Sequence, residues 1–207
     1  MKSKTLSKNC GVKTIMQNKG FPVAPMSASE IRRIARLCRS NVKKALSVIG
    51  KDSLKLALDM LPEGIMDEIQ IDIASKNEMP ADYAQAIPSQ RKIKLREDTY
   101  NDLVRENPRA RFTLAHELGH LFLNHRVDQT FARSHQEHTH ECFRDSEWQA
   151  DTFASEFLAP TQYYEAMTDQ EIVSAFSISK QAVEVTRSKL EKDKKRITDP
   201  LNPQFAF

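Results

Sequence analysis

The sequence predicts an α+β fold, and three observations carry that prediction. Between residues 68 and 95 lie three short runs that read as strands. On both sides of them, apolar residues recur at helical spacing between capping residues and Pro or Gly stops. The helix that follows the strands contains His116-Glu117-Leu118-Gly119-His120, a pattern that gives it chemistry as well as a buried face.

The 207 residues suit one domain with a small helical appendage. A net charge of +3 gives no overall argument for a nucleic-acid partner. No stretch approaches the roughly 20 apolar residues of a membrane span, and the polar N-terminus has no apolar signal region. Cys10, Cys38 and Cys142 cannot pair completely, which fits a reducing cytoplasm better than secretion.

From Met1 to Lys51 the only acid is Glu30. Residues 1–26 lack periodicity and read as a mobile basic arm. Ser27 to Gly50 reads as a helix, with Ser27 and Glu30 as capping box and Gly50 as its end. Its apolar face is Ile31, Ile34, Cys38, Val42, Ala45 and Ile49. The other face carries Arg32, Arg33, Arg36, Arg39, Lys43 and Lys44, either a solvated surface or a site for an acidic or nucleic-acid partner. A short helix follows over Asp52 to Leu61, stopped by Pro62 and Gly64.

Glu68 to Ala74 alternates Ile69, Ile71 and Ile73 with polar residues, as a half-buried strand does. Tyr83 to Ile87 and Arg91 to Leu95 are two further strands, joined by a turn at Pro88-Ser89-Gln90. An edge strand placed beside a catalytic helix can hold an extended substrate through main-chain hydrogen bonds. Asp98 to Glu106 reads as a short polar helix leading into the motif helix.

That motif helix has Asn107 as N-cap, Pro108 at its first position, and an apolar stripe of Phe112, Ala115, Gly119, Phe122 and Leu123. Residues four apart share a helix face, so His116 and His120 can bind one metal ion. Glu117 sits beside the ligand axis, placed to hold and deprotonate a water. A catalytic zinc needs a third protein ligand. The second motif helix, Ser146 to Pro160, offers one. It has Asp145 or Ser146 as cap, Ser146 and Gln149 in capping-box spacing, and Pro160 just past its end. Glu147 and Asp151 lie one turn apart, a spacing that suits one carboxylate as ligand and another orienting a ligating imidazole.

Together these two helices resemble the ImmA/IrrE family of bacterial and phage metallopeptidases. The run Thr113 to His120 is similar to the family's A-H-E-[LI]-G-H helix, and Glu147 to Pro160 to its E-x-[EQ]-A-[DN]-x-F-A-x-x-[LF]-L-x-P helix. The likeness spans about residues 65–190, and Ala159 departs from the Met more usual there. The resemblance implies a small zincin-like core, with a three-stranded antiparallel or mixed sheet packed on the motif helix. It further implies His116, His120 and Glu147 as metal ligands, Glu117 as catalytic acid/base and Asp151 as the carboxylate behind an imidazole. The implied cofactor is Zn2+, with Mn2+ or Fe2+ as substitutes. The implied substrate is a helix-turn-helix transcriptional repressor of a mobile element or stress regulon, whose cleavage relieves repression.

Arg126 to Arg144 lacks a regular pattern and contains His135, His138, His140 and Cys142. This loop could be solvated, could form a second metal site, or could place Cys142 on the open metal position as an inhibitor. Pro160 to Met167 reads as helical and supplies Tyr163 and Tyr164, either of which could donate to a tetrahedral oxyanion or pack in the core. Thr168 to Phe176, the turn Ser177-Ile178-Ser179, and Lys180 to Leu190 resemble a helix-turn-helix with Ile172, Phe176, Ile178, Val183 and Leu190 buried. Its second helix presents Lys180, Gln181 and Glu184, too little positive charge for operator binding, so packing on the peptidase core or docking of the protein substrate is expected in place of DNA binding. The expected organisation is a basic arm over 1–26, a metallopeptidase core over 27–160, helix-turn-helix-like helices over 161–195 and a tail over 196–207.

Overall fold

The computed structural model describes residues 20–47, 69–125 and 140–198, with side chains to Val42 in the first helix and to Lys194 in the last. The helix expected over Asp52 to Leu61, and His135 and His138 of the expected loop, lie outside the described residues. Among the described residues there are six α-helices and one three-stranded mixed sheet. The helices are α1 (Ala28–Ser47), α2 (Glu97–Val104), α3 (Pro108–Phe122), α4 (Ser146–Leu158), α5 (Asp169–Phe176) and α6 (Lys180–Thr198). The strands are β1 (Gln70–Ala74), β2 (Ala84–Ile87) and β3 (Lys92–Arg96). No described helix is long and apolar enough to cross a membrane.

The sheet order is β1-β3-β2, with β3 parallel to β1 and antiparallel to β2. Ile71 pairs with Ile93 and Ile73 with Leu95, and Ala86 pairs with Ile93 on the other side. The turn at Pro88–Gln90 is a short 3-10 turn closed by Arg91 in the left-handed region. Ile93 and Leu95 of the central strand are wholly buried, but Ile73, in register with Leu95, is 51% exposed. The expectation that Ile69, Ile71 and Ile73 all face a core therefore fails at Ile73, because β1 is an edge and the cover over β3 runs out there.

Helix α3 lies against β2 and β3 and also against α4. That double contact corrects the single stripe expected from periodicity: Leu114 and Leu118 are as buried as Ala115, while Phe112 and Phe122 are only partly buried. The rings of Phe122, Phe153 and Phe157 stack in sequence at 5.8 and 5.7 Å between centroids, tying α3 to α4. On the far side of α4, α1 buries Ile31, Ala35 and Val42.

The basic face of α1 is not simply solvated. Arg36 reaches the buried Glu156 at 2.7 Å, and Arg39 Nη1 donates to the Phe157 and Leu158 carbonyls at 2.6 and 3.0 Å. These arginines neutralise a buried carboxylate and satisfy the last carbonyls of α4, where cations are favoured. The expected basic arm is also corrected over its described part. Residues 20–26 run along residues 143–146, with Val23 N donating to the Arg144 carbonyl at 2.8 Å and Ser146 N to the Phe21 carbonyl at 3.1 Å.

Beyond α4, the helix expected over Pro160 to Met167 is only a 3-10 turn at Thr161–Tyr163. The physical reason lies in α6, whose Arg187 donates to the carbonyls of Tyr164 and Met167, both at 2.6 Å. Helix α5 has the expected reciprocal cap between Thr168 and Glu171, and ends at Ser177 in the left-handed region. Ile172, Phe176, Ile178 and Val183 are buried in the same core as α3 and α4, with Leu190 partly buried against it. The helix-turn-helix-like pair is thus packed on the rest of the fold.

Candidate metal centre

The site is assembled where α3 and the first turn of α4 cross. Asn107 caps α3 by accepting from Arg109 N at 2.9 Å, and the helix then runs unbroken through both histidines. Asp145 caps α4 by accepting from Trp148 N at 2.9 Å, which puts Glu147 in the first turn, where the helix dipole favours an anion. Gln149 takes no part in that cap, contrary to the spacing with Ser146, because its amide is used elsewhere.

Gly119 permits the crossing. A Cβ at this position would lie 3.1 Å from Ala150 Cα, 3.2 Å from its carbonyl oxygen and 3.2 Å from Phe153 Cβ. With only hydrogen there, α3 and α4 approach closely enough for Glu147 to reach both imidazoles. His116 Nε2 and His120 Nε2 are 3.0 Å apart, and Glu147 Oε2 and Oε1 lie 3.2 and 3.3 Å from them. Among the described residues, these three form the one group of His, Cys, Asp or Glu able to hold a metal.

The donor set fits a metal ion. Bonds of about 2.0–2.1 Å at the tetrahedral angle put ligand atoms about 3.3–3.4 Å apart, and here the two ring nitrogens are 3.0 Å apart, with one Glu147 oxygen 3.2 Å from the first and the other 3.3 Å from the second. Two imidazole nitrogens and a carboxylate suit zinc and its divalent neighbours. The two carboxylates also bear on the charge of the ring between them. Burial works to lower the His116 pKa, yet the hydrogen bonds its ring donates to Asp151 and Glu147 outweigh it and raise it to about 10. The same two histidines hold the Glu147 carboxyl well below the usual carboxylate range.

Other groups complete the surroundings. Asp151, one turn beyond Glu147, meets His116 Nδ1 at 2.9 Å through Oδ1, the position from which a carboxylate turns the opposite ring nitrogen towards a metal. Glu117 Oε2 accepts from the backbone N of Ala86 on β2 at 2.6 Å, and burial raises its pKa. His125, just past α3, has Nδ1 at 2.9 Å from His120 Nδ1 and Nε2 at 3.0 Å from Gln149 Oε1. Burial pushes its pKa down to about 4.

Neither His125 nor Gln149 stands out in the sequence as a site residue. The available signal was local: Asn124, in the left-handed region, turns the chain so that His125 N donates back to the His120 carbonyl at 2.9 Å. Recognising Gln149 required the tertiary fold.

The remaining expected positions are placed differently. Tyr163 is 41% exposed with its ring tilted against Phe176 at 5.5 Å, Tyr164 is 2% exposed in the core beneath Arg187, and neither is shown as an oxyanion donor. His140 Nε2 meets Asp145 Oδ2 at 3.0 Å, and Cys142 is exposed outside the ligand group. Lys180, Gln181 and Glu184 are exposed on α6, with Lys180 paired to Glu184 at 3.8 Å.

Comparison with known families places this geometry. Residues 100–188 match the Peptidase_M78 family, described as the IrrE N-terminal-like domain. Over those residues the chain is similar to the IrrE N-terminal-like domain. No curated protein and no solved structure matches the chain. The IrrE N-terminal-like match contains both motif helices and continues through α5 into α6. The match suggests a metallopeptidase-like domain, from a family that is metal-dependent in general.

Proposed function

We propose that the protein is a zinc-dependent endopeptidase with a zincin-like core, acting on a protein substrate in the cytoplasm. The observation that carries this reading is the convergence of His116, His120 and Glu147 with the Glu117 carboxylate on the adjacent helix position. His116, His120 and Glu147 would hold the zinc ion, which would supply Lewis acidity for a scissile carbonyl and for water near neutral pH. Glu117 takes the proton of the attacking water on its carboxylate and delivers it to the leaving amine nitrogen. Asp151 holds the His116 ring in place.

The sheet supports a peptide substrate. Strand β2 is an edge of the sheet, and its Ala86 N–H points at Glu117 on α3, away from β3. The outer edge of β2 therefore lines the site, where an extended peptide can add as a further strand. The substrate we favour is a DNA-binding repressor of a mobile element or stress regulon, a choice that rests on family resemblance.

The test mixes the purified protein with the repressor encoded beside it, with and without chelator, alongside a Glu117→Gln variant. Cleavage should require metal and fall at least about 10²-fold in the variant, the usual contribution of a general base. If Glu117→Gln relieves repression as fully as the wild type in a reporter assay, the protein works by sequestering its partner and is not an endopeptidase.

A further inference from the structure

The polar groups behind His120 form a chain whose hydrogen positions are dictated from its far end. Gln149 is 1% exposed, and its amide nitrogen lies 2.9 Å from the Ala24 carbonyl and 2.8 Å from the Phe143 carbonyl. Carbonyl oxygens only accept, so these two contacts consume both amide hydrogens and fix the orientation of the amide. The Gln149 Oε1 atom must then face His125 as an acceptor, at 3.0 Å from Nε2. His125 Nε2 therefore carries a hydrogen.

One hydrogen can occupy the 2.9 Å gap between His125 Nδ1 and His120 Nδ1. If His125 supplied it, that ring would be a cation, 4% exposed, facing a neutral amide oxygen and another imidazole. Burying a charge without an anionic partner is costly. The neutral ring instead offers Nδ1 as acceptor, and His120 Nδ1–H donates to it. That leaves the lone pair of His120 on Nε2, the atom 3.0 Å from His116 Nε2 and 3.3 Å from Glu147 Oε1.

We propose that Gln149 and His125 are positioning residues that fix His120 in the tautomer able to bind metal through Nε2. The inference rests on the ligand assignment above, and it goes beyond it. His116 is oriented by an anion, Asp151, whereas His120 is oriented by a neutral relay anchored on two main-chain carbonyls. One anchor, Ala24, belongs to the segment laid along residues 143–146, so that segment contributes to the centre through Gln149. A neutral relay adds no further negative charge near a site that already has Glu147, Glu117 and Asp151.

The test uses the full chain. In the chelated wild type, 15N-histidine long-range correlation NMR should show His125 with a hydrogen on Nε2 and a bare Nδ1, and His120 with a hydrogen on Nδ1. The opposite tautomer at His125 overturns the proposal without any reference to metal. Zinc affinity by chelator competition should fall about 10- to 100-fold in His125→Leu, the usual cost of losing such a partner. His125→Asn, whose side-chain carbonyl can accept in place of Nδ1, should recover most of that loss, while thermal melting of the metal-free forms reports folding. Unchanged affinity in His125→Leu, or no recovery in His125→Asn, overturns the relay. A Glu147→Gln control that binds zinc as tightly as wild type would overturn the ligand assignment itself, a distinct outcome.

Discussion

Replacing Gly119 with Ala tests whether the close crossing of α3 and α4 makes the centre. The added methyl would lie 3.1–3.2 Å from Ala150 Cα, the Ala150 carbonyl and Phe153 Cβ. Ordinary carbon contacts are about 3.5–4.0 Å. None of the three atoms is the tip of a flexible side chain, so α4 must move as a body by several tenths of an ångström. Glu147 and Asp151 flank Ala150 on that helix and move with it, whereas His116 and His120 stay on α3. Metal sites tolerate only about ±0.2 Å in ligand distance.

Two effects on stability oppose each other. Ala is better than Gly inside a helix by about 1 kcal/mol, and overpacking costs about 1–3 kcal/mol. The metal-free protein should therefore lose no more than about 2 kcal/mol, the larger cost less the gain. Zinc binding should suffer separately, by at least about tenfold, which is about 1.4 kcal/mol. The assays are thermal melting in chelator and zinc titration against a competing chelator. A Gly119→Ala protein with wild-type zinc affinity would refute the reasoning, since the crossing would then have slack that the geometry does not show.

Glu147→Gln should lose most bound zinc by elemental analysis; full stoichiometry would remove Glu147 from the ligand set. The two described cysteines should differ in alkylation, because burial pushes the Cys38 thiol up to about 11 while Cys142 is exposed. A raised thiol pKa means thiolate appears only as pH rises, so at pH 8 peptide mapping should find Cys142 labelled and Cys38 protected, with Cys38 labelling increasing about tenfold per pH unit towards 11. Rapid Cys38 labelling at pH 8 would show that α1 does not stay packed on α4. The α5–α6 pair should give no specific DNA shift at about 150 mM salt, because Lys180 is paired with Glu184 and the pair's apolar face is in the core. Sub-micromolar operator binding, lost in a Lys180→Glu/Gln181→Ala double variant, would instead make the protein a DNA-binding regulator.

What the sequence determined by itself is what helix geometry makes local. His116 and His120 share a face because they are four apart, and Glu117 follows by adjacency. The caps at Asn107, Asp145 and Thr168 are set by side chains that reach backbone amides two or three residues on. Turn chemistry at Pro88-Ser89-Gln90 joins β2 to β3 in the same short-range way. Tertiary structure decided everything that depends on which surfaces meet. Periodicity could not tell that α3 is covered on two sides, that Ile73 lies beyond the cover, or that Arg36 and Arg39 serve the end of α4. Nor could it show Gln149 leaving its cap to bond Ala24, 125 residues away in sequence, and so to set the hydrogens on His125. Local rules fix direction and spacing within an element, whereas a buried polar atom takes its partner from whatever the packing brings near, and at Gln149 that partner lies on a distant stretch of chain.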